Sequence, residues 1–372
     1  MKKKQYGCNI SGGLIPRQKG LVLKNRLQRW LRQDNIPLTR WPLWRLSVQV
    51  GFTVLCIWLG MEFVQFLAKV NSGAPVDITE RPPGVEGFLP ISSLMELWLW
   101  LKAGIAPVIH PAGVIIIAFA LGTALLIRRG FCSWLCPVGT LSEALWRIGQ
   151  WLGINIKPWK WVDIPLRGIK FLLLGFFVYV IFGMSAEALL SFLQGDYNRV
   201  SDIKMLDFFI APSKLSLYII AILAVLSMPI KNFWCRYACP YGALLGLFAR
   251  FSLMAIRRDA ETCIDCDKCD KACPSYLNIA TVDSIGSEEC LACQQCTAVC
   301  PVPDCLTFSA PRKLLRLRPA MYGVVFVAVF LACVGAARLF GYWYTTTPVD
   351  DLRTLTEHMD SLGHPRDVGG YR

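Results

Sequence analysis

The chain has 372 residues, room for two or three domains at about 150 residues each. Fifty-four per cent are hydrophobic and 17 per cent charged, against about 45–50 and about 25 per cent in soluble globular chains. The surplus falls in blocks of helix-spanning length, which marks a membrane protein and excludes a disordered chain, a collagen or a small secreted disulfide scaffold. The formal net charge of +13 raises nucleic acid as a partner, but the distribution of that charge, given below, answers to a membrane instead.

Residues 1–45 are basic and carry no continuous apolar stretch of the kind that directs secretion, so the first long apolar block is expected to stay as an anchor. Within them, residues 19–33 read as a basic amphipathic helix: Leu23, Leu27, Trp30 and Leu31 share one face, with Lys24, Arg26, Arg29 and Arg32 largely on the other. That pattern suits the surface of an anionic leaflet. Five blocks then have the length and composition of transmembrane helices, at residues 46–67, 108–127, 168–190, 215–229 and 321–343. Residues 91–101 are apolar but too short to span, and are expected to re-enter or lie at the interface.

Lys and Arg are partitioned sharply between alternate connections. Residues 1–45, 128–170 and 231–319 hold 29 of them, and the segments 71–106, 191–214 and 344–372 hold 8. By the positive-inside rule the N-terminus is cytoplasmic and the C-terminus external, in a bacterial cytoplasmic (inner) membrane. The same partition accounts for the net charge without nucleic acid.

A repeat is visible at the inner ends of the second and fourth blocks. Phe131-Cys132-Ser-Trp-Leu-Cys136-Pro137-Val-Gly139 answers to Trp234-Cys235-Arg-Tyr-Ala-Cys239-Pro240-Tyr-Gly242. Each is followed by an apolar, interfacial helix, at 141–152 and 243–256, which indicates duplication of a two-helix unit. A helix would place the cysteines of each pair one turn apart, while the following proline disfavours helical geometry at Cys136 and Cys239, so each motif should cap or bend its element. Brought together, Cys132, Cys136, Cys235 and Cys239 could ligate a soft metal or a further iron–sulfur centre, or work as two dithiol pairs; the plainer alternative is that they are small buried hydrophobes. Cys8, Cys56, Cys305 and Cys333 have no such pairing and read as structural or incidental.

Between these features and the last block lies the most specific signal. Cys263, Cys266, Cys269 and Cys273-Pro274 give C-x-x-C-x-x-C-x-x-x-C-P, and Cys290, Cys293, Cys296 and Cys300-Pro301 repeat it 27 residues later. This is the pattern of bacterial two-cluster ferredoxins, in which the fourth cysteine of each run serves the other cluster. Cys263, Cys266, Cys269 and Cys300 are thus expected to hold one [4Fe–4S] cluster, and Cys290, Cys293, Cys296 and Cys273 the second. Structural zinc would use two separated pairs instead. Residues 259–305 carry nine acids against two lysines, so an acidic head is expected to face a basic redox partner, with Arg250, Arg257, Arg258, Arg312, Lys313, Arg316 and Arg318 as basic stems at the leaflet. Three histidines, His110, His358 and His364, and no C-x-x-C-H, speak against haem.

The fold expected from all this is an all-α polytopic membrane protein of about five transmembrane helices with a duplicated two-helix unit and an inserted small α+β two-[4Fe–4S] ferredoxin domain. Its parts would be an N-terminal segment at 1–45, a four-span domain at 46–256, the ferredoxin domain at 257–311, a fifth transmembrane helix at 312–343 and a polar external tail at 344–372.

The paired C-x-x-x-C-P motifs ahead of a two-cluster ferredoxin head resemble the NapH and NosR type of membrane electron-transfer proteins. The resemblance runs through Arg81-Pro-Pro-Gly-Val-Glu-Gly87, residues 131–143, Asp163-Ile-Pro-Leu-Arg167, Lys204-Met-Leu-Asp-Phe208 and residues 234–244. It implies a quinol dehydrogenase-like exchange of electrons between the quinone pool and redox partners. The flavin-binding domain of the NosR type is not matched, and Ser72-Gly-Ala-Pro75 lacks the threonine of a covalent flavin site, so no covalent flavin is expected. Two rival functions remain at this level: a copper-binding and copper-reducing accessory protein for metalloenzyme assembly, since such proteins share the sulfur motifs, and an iron–sulfur redox sensor. Glu62, Glu187 and His110 fall at outer ends of blocks and Glu143 and Asp163 at inner ones, and none is assigned a catalytic role.

Overall fold

The computed structural model describes residues 40–311, 315–359 and 362, together with a strand pair, Tyr6–Cys8 with Leu14–Pro16. The amphipathic segment expected at 19–33, and Arg312, Lys313 and His364, lie outside the described residues.

Helix α1, Arg40–Asn71, is 32 residues long, about 48 Å at 1.5 Å per residue. Its middle exposes Val50, Val54, Ile57, Trp58 and Met61, a face that hydrocarbon would solvate and water would not. After two short 3₁₀ stretches, Ile78–Glu80 and Pro83–Phe88, come α2, Pro90–Ala103, and α3, Pro111–Ile127. Helices α4, Pro137–Trp151, α5, Lys160–Gly183, α6, Ala186–Gln194, α7, Ser201–Ile210, α8, Lys214–Ser227, and α9, Pro240–Arg250, follow. The chain closes with α10, Pro319–Leu339, and α11, Val349–Glu357.

Among the described residues, three helical stretches are long and apolar enough to cross a membrane by themselves: Leu43–Asn71 within α1, α5 and α10. The block expected at 108–127 gives the shorter apolar helix α3 of 17 residues, and the fourth gives α8, which reaches spanning length only with α7, at a bend of 72°. Physical reasons lie in the breakers. Pro111 opens α3, and Ser213 ends the approach to α8 by accepting a hydrogen bond from the Ser216 N–H. The third block, expected to continue to 190, stops at Gly183 because Met184 is extended and Ser185 caps α6. Residues 91–101 are realised in α2, which buries Ser92, Ser93, Met95, Glu96 and Leu99.

The bundle has two distinct ends. Beyond the last residue of α3, Arg128 donates to the carbonyls of Met254 (3.1 Å) and Ser287 (2.9 Å), while the start of α3 meets the far ends of α10 and the residues after it, with Ala112 packed beside Ala337 and Trp343. The far end of α1 packs Phe63, Phe66, Leu67 and Val70 against Val85, Val200, Ile203 and Leu352. One end of the bundle thus carries the ferredoxin-like region, and the other is closed by α2, α6, α7 and α11. Trp151, Trp159 and Trp161, 84, 81 and 90 per cent exposed, ring the first end beside Lys157 and Lys160, as tryptophans do at a membrane–water boundary.

Three strands build the small sheet: β1, Ala255–Arg258, β2, Leu306–Ser309, and β3, Arg316–Leu317, antiparallel in that order. The expected domain boundaries shift accordingly. The apolar helix expected at 243–256 ends at Arg250, and Ala255 and Ile256 already pair with Ser309 and Phe308. Residues 316–317 belong to the sheet rather than to the last helix. The polar tail expected at 344–372 contains α11, held to α1 by buried Leu352 and by Arg353, which donates to the carbonyls of Val70 and Ala74. Val349 and Leu355 pack partly buried beside Leu352, but three apolar residues in a short polar stretch gave too little pattern to predict a docked helix.

Candidate iron–sulfur centres

The two cysteine runs follow the same backbone path. Asp265 (φ 52°) and Asp267 (φ 57°) flank Cys266 in the left-handed region, and 27 residues later Ala292 (φ 49°) and Gln294 (φ 55°) flank Cys293 in the same way. One-turn helices follow at Lys268–Ala272 and Gln295–Ala298. A non-glycine residue costs about 1–2 kcal/mol in this region, so four such residues in register mark a backbone shaped for a purpose. Alternating hand turns successive N–H groups to one side, the usual cradle for an anionic sulfur centre.

Each path wraps a cavity. Cys263, Cys266, Cys269 and Cys300 line one, joined there by Cys305, which was expected to be structural or incidental. Cys273, Cys290, Cys293 and Cys296 line a second. Three thiols of each set come from one run and the fourth from the other. No disulfide joins cysteines among the described residues. Nor is any group of three or more His, Cys, Asp or Glu there drawn together as one metal ion needs; thiolates around a single zinc at 2.3 Å stand about 3.8 Å apart. The sulfurs surround larger spaces, and this donor set fits a sulfide-bridged cluster. Burial pushes the Cys269 and Cys273 thiols up to about 12 and Cys293 up to about 11, with neighbouring cysteines adding repulsion, so loading a centre that takes them as thiolates releases protons.

The twin motifs also share one build. A left-handed residue, Arg128 (φ 66°) or Asn232 (φ 52°), precedes a short helix, Phe131–Trp134 or Phe233–Tyr237. That helix carries the first cysteine, and the second stands extended at the N-terminus of α4 or α9, with Cys136 at φ −68°, ψ 117° and Cys239 at φ −79°, ψ 106°. Proline at the first helical position enforces this. The Gly242 N–H points at Cys239 Sγ at 3.3 Å. The two halves differ at their glycines: a Cβ at Gly139 would meet the Cys132 carbonyl oxygen at 2.2 Å, whereas one at Gly242 would sit 3.6 Å from that of Cys235.

The four thiols lie within one another's electrostatic reach. Burial and then repulsion from Cys239, Cys136 and Cys132 push Cys235 well above its ordinary value. Burial likewise raises Cys132 to about 11, against the pull of Arg129, and Cys136 to about 12. Such a set accommodates negative sulfur only beside a compensating cation, and buried Arg129 acts on Cys132, Cys235 and Cys239 together.

The ferredoxin-like region is clamped onto this end through polar groups that sequence patterns did not single out. Arg129 donates to the carbonyls of Gly242 (2.6 Å) and Glu289 (3.3 Å). Glu289, next to Cys290, is buried with Lys170 of α5 at 2.5 Å and Arg129 at 3.7 Å. Ser133, next to Cys132, donates to the Leu291 carbonyl at 2.7 Å, and Trp134 to that of Ala292 at 3.5 Å. Asp163 receives Arg236 through two 2.7 Å bonds and Tyr237 at 2.7 Å; Glu143 pairs with Arg45 at 2.6 Å and Arg147 at 2.9 Å. Both acids singled out at inner ends are therefore structural anchors. The expected basic stems are corrected in part: Arg258 lies in β1, donates to the Val282 carbonyl at 3.1 Å and pairs with Asp265 and Asp283 at 3.8 and 3.5 Å. Its strand puts it against the acidic loops rather than a leaflet.

Comparison with known proteins agrees with this geometry. A family model described as a 4Fe-4S binding domain matches residues 109–156 and 215–259, each of which holds one of the twin motifs. A model described as a 4Fe-4S dicluster domain matches residues 255–302. YccM of Escherichia coli K12, named provisionally as an electron transport protein, is 36% identical over 357 residues, covering 92% of this chain and all of YccM. The ferredoxin-type protein NapH of the same organism is 26% identical over 41% of this chain and 49% of its own length. The regulatory protein NosR of Pseudomonas aeruginosa is 31% identical over 44% of this chain and 22% of its own. No solved structure matches. The chain belongs to the NapH/NosR-type family of membrane proteins with 4Fe–4S ferredoxin domains.

Proposed function

We propose that this protein carries electrons between the quinone pool of a bacterial cytoplasmic membrane and a redox partner, through two [4Fe–4S] clusters. Cys263, Cys266, Cys269 and Cys300 would hold the outer one, and Cys273, Cys290, Cys293 and Cys296 the one against the bundle. A [4Fe–4S] cluster in each cavity supplies one-electron carriage at low reorganisation. The observation that carries the reading is the pair of cavities, each lined by the four cysteines expected for one cluster, the second seated directly on the membrane helices through Ser133, Trp134 and the Glu289–Lys170 pair.

The residues around the thiols favour electron uptake. Arg45 acts on Cys293 and Arg128 on Cys290, while Arg258 hydrogen-bonds Cys263. Cations beside a cluster stabilise its more negative, reduced form and raise its potential toward that of a quinol donor. Asp265, Asp283 and Asp304, with side chains 75, 85 and 81 per cent exposed, give a basic partner protein an acidic docking face.

Five membrane passages are consistent with the lysine and arginine partition, α3 crossing as a short helix and α7 with α8 as a broken one. Cys132, Cys136, Cys235 and Cys239 would hold a third metal or redox centre between the inner cluster and the lipid. The test is anaerobic protein in vesicles given a quinol: reduction of the clusters by EPR supports the reading, and absence of electron exchange in either direction removes the quinone. Iron lost from a Cys132→Ser, Cys235→Ser double variant that keeps both ferredoxin signals would place iron at the third centre.

A further inference from the structure

At the end of the bundle away from every cysteine pair, five ionisable side chains from separate segments meet out of solvent. Arg81 and Glu86 come from the 3₁₀ region, Glu96 from α2, His110 from the N-terminus of α3 and Asp202 from the first turn of α7; all are at most 4 per cent exposed. Arg81 and Asp202 pair at 2.5 Å. Glu86, Glu96 and His110 are then left without a cation of their own among the described residues.

Their contacts define a proton position. His110 Nε2 lies 2.8 Å from the Asn198 carbonyl, an acceptor, so this nitrogen carries the ring proton and Nδ1 is bare in the neutral ring. Glu86 Oε1 faces that Nδ1 at 4.0 Å, and both atoms are buried without a hydrogen-bond partner. Two buried acceptors that face each other without a donor are relieved when one of them takes a proton. Glu86 Oε2 accepts from the Gly113 N–H at 3.3 Å, and Glu96 Oε1 from the His110 N–H at 3.0 Å, leaving Glu96 Oε2 a second buried orphan. Gly113 is needed for this approach, since a Cβ there would meet Ser93 Oγ at 2.3 Å and the Glu86 carbonyl oxygen at 2.9 Å. Half-buried Ser201, 3.3 Å from His110 Nε2, connects the ring to the surface. Ser92, Ser93 and Asn198 are the uncharged polar neighbours, and Arg81 and Asp202 the charged ones.

We propose that Glu86, His110 and Glu96 form a proton-exchange site at the end of the bundle opposite the iron–sulfur head, taking the protons of the quinone half-reaction while the electrons pass to the head. The role rests on the quinone reading; the site itself does not. A hydroquinone gives up two electrons and two protons in becoming quinone. The electrons enter the clusters one at a time, one proton goes to the Glu86–His110 pair, whose ring Nε2 leads on to half-buried Ser201, and the other is held by Glu96. Burial pushes the Glu86 carboxyl up to about 8 and that of Glu96 to about 7, so both can bind and release protons near neutral pH.

Two measurements test this on the intact, iron-loaded protein. Infrared pH-difference spectra should show a buried carboxylic-acid C=O band that titrates between pH 6 and 9 and weakens in Glu86→Gln and in Glu96→Gln. A wild type with no protonated carboxyl band in that range overturns the proposal. In vesicles, Glu86→Gln should slow cluster reduction by quinol at least tenfold and alter its pH profile, with iron content and reduction by dithionite unchanged; an unaltered rate and profile also overturn it. If the band titrates but quinol never reduces the wild-type clusters, the proton site stands and the quinone reading falls.

Discussion

The two ends of the helix bundle bury charge by opposite rules. At the iron–sulfur end every buried carboxylate has its own cations: Glu143 has Arg45 and Arg147, Asp163 has Arg236 and Arg167, and Glu289 has Lys170 and Arg129. At the opposite end, among the described residues, Glu86, Glu96, Asp202 and His110 share one buried guanidinium, that of Arg81. Paired charge holds a fixed geometry and resists protonation. Burial alone would lift the Glu143 carboxyl, yet Arg45 and Arg147 hold it down to about 2. Unpaired charge must bind a proton to remain buried. One end is built to keep still and the other to titrate.

The sharpest break in that contrast is to orphan an acid at the rigid end. Lys170→Met leaves Glu289 with only the longer Arg129 contact, and loss of one partner of a buried pair costs about 3–5 kcal/mol. A drop in thermal midpoint with early loss of the inner cluster's EPR signal is expected, with partial rescue on adding Glu289→Gln. Next comes pH. The unfolded Glu86 carboxyl loses its proton above about 4.3, while the folded one holds it to about 8. The unfolded chain is therefore increasingly favoured as pH rises through that window. Stability should fall by up to about 1.4 kcal/mol per pH unit from this group, level off above about pH 8, and lose the slope in Glu86→Gln. A flat wild-type profile would put Glu86 in the paired class.

Smaller effects separate the two halves of the repeat at the rigid end. Gly139→Ala forces a Cβ against the Cys132 carbonyl and should cost about 1–3 kcal/mol, whereas Gly242→Ala, in ordinary contact, should be within about 0.5 kcal/mol of wild type; equal thermal midpoints would contradict the asymmetry. Ser133→Ala removes the bond to the Leu291 carbonyl and should cost about 1 kcal/mol, read as a modest fall in midpoint with both clusters retained.

How far these features could be read from sequence follows the range of the forces involved. The cysteine runs, the twin motifs and the proline-capped second cysteines are local, and their spacing carries the backbone path with it. Helix ends were less legible: Ser185 cuts an apolar run that hydropathy alone continues. Pairings across the chain were not legible. Glu289 looked like one more acid of a solvated head until Lys170, 119 residues away, was placed beside it. Glu86, Glu96 and Asp202 carry no periodic signal, and only the folded proximity of 3₁₀ turn, α2, α3 and α7 makes them a group.

The account depends most on iron being held by the two interleaved cysteine sets. Anaerobically purified protein should contain iron and acid-labile sulfide for at least two four-iron clusters per chain. Cys266→Ser and Cys293→Ser should each abolish a different reduced-cluster EPR signal and leave the other. Colourless wild-type protein without acid-labile sulfide, or a single signal lost in both variants alike, would contradict it.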